Sequence, residues 1–131
     1  MTMGNGASTA PNMGGRESAM QRLTGFLHKI KVNMHFAQRK RVNIEKALDR
    51  QDAGTALVEQ RDLAKLEGET LREMENVHTD SERLKPTVEG TKIIAAAHAK
   101  SDETAGKAIA EAERAGATVP LPETGAALQF A

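Results

Sequence analysis

Four histidines are the only side chains of this 131-residue chain that titrate near neutral pH when unperturbed. His28 and His35 stand seven residues apart. On a helix they leave at similar angles but about 10.5 Å apart along the axis, too far to chelate one metal ion without a third element closing in. His78 and His98 have no neighbour at ligand spacing. The chain has no Cys, which removes thiolate ligands, disulfides and cysteine nucleophiles together. No metal site and no cofactor are expected.

Hydrolytic or group-transfer chemistry needs a nucleophile beside an oriented base in a pocket that excludes water. Ser and Thr are present, but no nucleophile elbow, Gly-rich phosphate loop or dinucleotide fingerprint surrounds them. The acid pairs Glu73/Glu75 and Asp102/Glu103 read as solvated helix surface. A non-enzymatic role is expected.

The strongest chemical signal is basic. Between Glu17 and Glu45 every charged side chain is Lys or Arg. At 100° per residue Arg22, Lys29, Arg39, Lys40, Lys46 and Arg50 fall opposite an apolar seam, as a basic face. Such a face binds an acidic helix, a phosphate backbone or an anionic membrane surface. There are no Trp or Tyr side chains to stack bases and no helix-turn-helix or zinc pattern. The apolar stripe is narrow and lacks the Trp of a membrane-surface helix. A merely solvated face or an acidic protein partner therefore ranks first, nucleic acid second and a membrane last. Residues 1–51 hold nine Lys/Arg against three acids, a net of +6, while residues 52–131 hold nine against fifteen, a net of −6. The simplest partners for the two halves are each other, within a chain or between copies.

The element carrying the basic face is a helix over about 17–51. Met20, Leu23, Leu27, Ile30, Met34, Ala37, Arg41, Ile44 and Leu48 alternate steps of three and four. That is the a/d pattern of a coiled-coil seam, expected to be the interface. Arg41 within it either fixes register by demanding a partner or snorkels to water. Gly54 can end this helix, and Thr55 can cap a second one over 56–84. There Ala56, Leu63, Thr70, Val77 and Leu84 recur every seven residues, with Leu66, Leu71 and Met74 near the same side. Pro86 stops it. An alanine-rich third helix follows over 87–115. Residues 1–15 and 116–131, rich in Gly, Pro and small polar residues, read as flexible N- and C-terminal arms around a helical domain at 16–115.

One string resembles a known signal. Leu121-Pro122-Glu123-Thr124-Gly125 is similar to the cell-wall sorting motif that sortase transpeptidases cleave between Thr and Gly. The resemblance covers five residues. The family pattern continues with a hydrophobic span and a basic tail, whereas Ala126-Ala127-Leu128-Gln129-Phe130-Ala131 follow here, so wall anchoring is not implied.

Together these readings predict an all-α chain: an elongated helical hairpin or bundle with a coiled-coil-like first helix. Apolar residues make up 39% of the chain and aromatics 2%, so few large side chains can build a self-sufficient core. The expected function is that of a structural subunit of a large assembly, such as a phage particle or bacterial secretion machine. Its partners would be further copies of the chain or other subunits. The alternative is a small nucleic-acid-binding or regulatory protein using the basic face. The first fifteen residues lack the basic and apolar regions of a secretory signal. No stretch approaches the ~18 apolar residues of a membrane span. Cytoplasmic synthesis is expected, with incorporation into a virion or other large assembly.

Overall fold

The computed structural model describes residues 11–115, and they form an all-α chain of three helices: α1 (Pro11–Asp49), α2 (Ala53–Leu84) and α3 (Val88–Ala115). The sorting-motif string, the tail from 116 and residues 1–10 of the expected N-terminal arm lie outside the described residues. Residues 11–15, expected in that arm, belong to α1, whose first position is Pro11. Proline suits a helix start, where its missing N–H would have no partner in any case.

The α1–α2 break is built differently from the expectation. Gln51 adopts a left-handed conformation at φ 59°, Asp52 N–H donates to Ala47 O (2.8 Å) and Gln51 N–H to Leu48 O (2.9 Å). This is a Schellman ending made without glycine. Asp52, not Thr55, caps α2. Its carboxylate accepts from Thr55 N–H (3.1 Å) and from the Thr55 hydroxyl (2.7 Å). Those bonds hold the Asp52 carboxyl below the usual carboxylate range. Gly54 therefore lies inside α2 rather than ending α1. At the second junction Pro86 follows the end of α2, and the Thr87 hydroxyl accepts from Gly90 N–H (2.8 Å) as the cap of α3.

Helix order follows from the cross-helix pairs. Arg22 pairs with Asp80, Lys29 with Glu73 and Lys40 with Asp62, so α2 runs antiparallel to α1. His28 with Thr104 and His35 with Glu113 set α3 parallel to α1. The core has two small centres. Leu23, Leu27 and Ala97 are packed by Val77, Leu84 and Ile94. Phe36 and Leu66 are packed by Val32 and Ala112. At 100° per residue Leu23 and Phe36 point about 140° apart around α1. Hence α3 starts in one groove of the α1–α2 hairpin, crosses the back of α1 near the His28–Thr104 hydrogen bond (2.9 Å), and ends in the other groove.

Candidate interaction surface

The interior seam of α1 shares one column with the expected one and differs in the other. Of the shared column, Leu23 and Ala37 are buried, and Ile30 and Ile44 are half-buried. The second column was expected at Met20, Leu27, Met34, Arg41 and Leu48. Leu27 is buried and Met20 half-buried, but Met34 is 54% exposed, Leu48 55%, and Arg41 is also exposed. In their place Ala19, Asn33, Lys40 and Ala47 face inward. From Asn33 onward the column has moved by one residue along the chain. Once α3 has crossed to the far groove, the buried side of α1 turns towards Phe36 and away from Met34.

Lys40 is the clearest correction. Expected on the basic face opposite the apolar seam, it is buried, with Nζ 3.0 Å from Glu59 Oε1 and 3.3 Å from Asp62 Oδ2. Glu59 and Asp62 stand three apart on α2 and so share a face. Their two carboxylates offset the cost of taking the ammonium out of water. Arg41 reverses the other way: it leaves the seam, donates to Glu67 Oε2 (2.9 Å) and Gln38 Oε1 (3.2 Å), and stays half exposed.

Apart from Lys46, the rest of the basic face also turns to acids of the same chain. Arg22 reaches Asp80 (3.3 Å) and Lys29 reaches Glu73 (3.7 Å) on α2, while Arg39 pairs with Glu113 on α3. Arg50 reaches Asp52 (3.7 Å), and Lys46 is exposed. Lys31, which the charge run contains but the expected face omits, contacts Asp102 (3.0 Å). The opposite charges of the two halves thus meet within one chain.

Two of the four histidines join helices rather than gather around an ion. His28 bonds to Thr104, and His35 Nε2 lies 2.7 Å from Glu113 Oε2. Arg39 first and His35 second hold the Glu113 carboxyl below its usual range. Among the described residues no group of three or more His, Cys, Asp or Glu is placed to hold a metal ion, and no helix is long and apolar enough to cross a membrane.

One side of the α1–α2 hairpin carries exposed apolar residues from both helices. Met34 and Arg41 point within about 20° of Leu23 around α1, the side that α3 leaves after its first half. On α2, Glu67, Leu71 and Met74 follow at steps of four and three along one stripe. The Arg41–Glu67 ion pair ties this stripe to the Met34 side of α1. Leu71 is 67% exposed and Met74 44%. The sequence placed Leu71 and Met74 near the inward heptad side. Of that group Leu66 is buried, whereas Leu71 and Met74 face out. No family model matches this chain, and no curated protein or solved structure aligns with it significantly.

Proposed function

We propose that this chain is a non-enzymatic structural subunit of a larger protein assembly, of the kind used in phage particles and bacterial secretion machines. It acts by helix–helix packing and charge-matched contact through the open α1–α2 groove. The observation that carries this reading is the joint exposure of Met34, Leu71 and Met74 around the Arg41–Glu67 pair. Exposed apolar residues on two helices beside a charged pair are what a helix-docking face presents. The internal pairing of Arg22, Lys29, Arg39 and Lys40 supports reading the basic run as intramolecular matching rather than as a phosphate-binding face. Size fractionation of lysate from the native source tests the reading. The wild-type chain should travel in a high-mass complex, and Leu71→Glu should release it to low mass with its helicity intact. A wild-type chain that runs at low mass would sink the idea. Steeply salt-dependent binding of duplex DNA would put the nucleic-acid alternative in its place.

A further inference from the structure

We infer that the occupant of the open α1–α2 groove is the same groove of a second copy, related by a two-fold axis parallel to the hairpin. This rests on the reading of that groove as an interaction surface.

The charges select the partner. Arg41 lies on α1 and Glu67 on α2, paired at 2.9 Å across the groove floor and each about half exposed. A two-fold axis along the hairpin exchanges left for right and keeps height. It lays α1 of each copy over α2 of the other, with Arg41 facing Glu67 of the second copy. The two pairs then close a ring of four charges that alternate in sign. A two-fold axis across the helices would instead lay α1 on α1 and bring Arg41 towards Arg41, which like-charge repulsion disfavours.

The apolar residues agree with the first axis. The pairs Arg22–Asp80, Lys29–Glu73 and Lys40–Asp62 fix heights: each step up α1 matches one step down α2. Met34 is then level with Gly68, within about one helical turn of Leu71. The same axis that closes the charge ring lays the Met34 side chain over Leu71 of the second copy, twice. All neighbouring helices in the resulting four-helix contact run antiparallel, an arrangement common in bundles. The patch is self-complementary, as an isologous interface requires.

Sedimentation equilibrium of the purified full chain tests this. Wild type should weigh about twice its 14.1 kDa chain mass. Arg41→Glu alone and Glu67→Arg alone should each dimerise at least about tenfold more weakly, since each places like charges face to face. An equal mixture of the two single variants should recover a mixed dimer. In it the new acid at position 41 faces the new base at position 67, and the unchanged Glu67 faces the unchanged Arg41. The double variant Arg41→Glu/Glu67→Arg should dimerise like wild type, which separates a lost contact from a lost fold. A monomeric wild type, single variants that dimerise normally, or a mixture that stays monomeric would each overturn the second copy as occupant. A monomeric purified chain that still runs in a Leu71-dependent high-mass complex in lysate would overturn this inference alone and leave the assembly reading standing.

Discussion

Lys40 Nζ sits 3.0 Å from Glu59 Oε1 with its side chain 5% exposed, in a column of α1 that otherwise buries small or neutral residues. A buried lysine of this kind contributes less through its own attraction than through what its loss leaves behind. Lys40→Ala strands two carboxylates, and denaturant melts should show a loss of about 3 kcal/mol, the lower end of the range for breaking a buried pair. Lys46→Ala, exposed further along the same helix, should change stability by no more than about 0.5 kcal/mol. Equal effects would mean that Lys40 is not confined by α2.

Glycines offer an independent check on where helices touch. A Cβ built on Gly90 would lie 1.7 Å from the Leu84 carbonyl oxygen, so the first turn of α3 sits directly on the last turn of α2. Gly90→Ala should cost at least about 1–3 kcal/mol, as an overpacked site does. Gly25, Gly68 and Gly106 have nothing within 4 Å of a built Cβ. Alanine at each should add about 0.5–1 kcal/mol by raising helix propensity. Thermal melts of the four single variants would separate the two classes.

The helices were legible because their signals are local. Three-and-four spacing gives α1, Pro86 stops α2, and the opposite charges of the two halves point to partners that the fold supplies within the chain. The rotation of the α1 seam was not legible for a long-range reason. Scoring Met34 and Leu48 above Asn33 and Ala47 is correct for an isolated helix. It fails once α3 crosses to the Phe36 groove and Glu59 and Asp62 provide for Lys40. The Asp52 cap is likewise hard to read from sequence because Gly54 and Thr55 are the louder turn signals, while Gln51 carries the left-handed turn that Gly usually supplies.

The end of α3 should be sensitive to acid. Arg39 and His35 hold Glu113 below its ordinary value of 4.5. A depressed carboxylate contributes stability that is present above its unfolded value and lost as pH falls through the folded one. The stability difference between wild type and Glu113→Gln should therefore be fully developed by about pH 5. It should shrink as pH drops below 4.5 and vanish once both states of Glu113 are protonated. Urea melts at a series of pH values would measure it. A difference that persists undiminished in strong acid would show that Glu113 does not act through its charge.

The last prediction concerns the seam itself. Leu23 and Met34 are both apolar, both on α1, and both on the heptad that the sequence presents. Leu23 is fully buried beside Leu27 and Ala97, whereas more than half of Met34 is open to solvent. Leu23→Ala should cost about 2–5 kcal/mol, the transfer energy of the lost methyl groups plus the cavity they leave. Met34→Ala should stay within about 0.5 kcal/mol at protein concentrations low enough to keep the chain monomeric. Raising the concentration should separate the two variants in a second way. The proposed dimer through the Met34 side should add stability by mass action to wild type and to Leu23→Ala, but less to Met34→Ala. A Met34→Ala loss as large as that of Leu23→Ala in dilute solution would mean that the sequence seam, and not the displaced one, is buried in the folded chain.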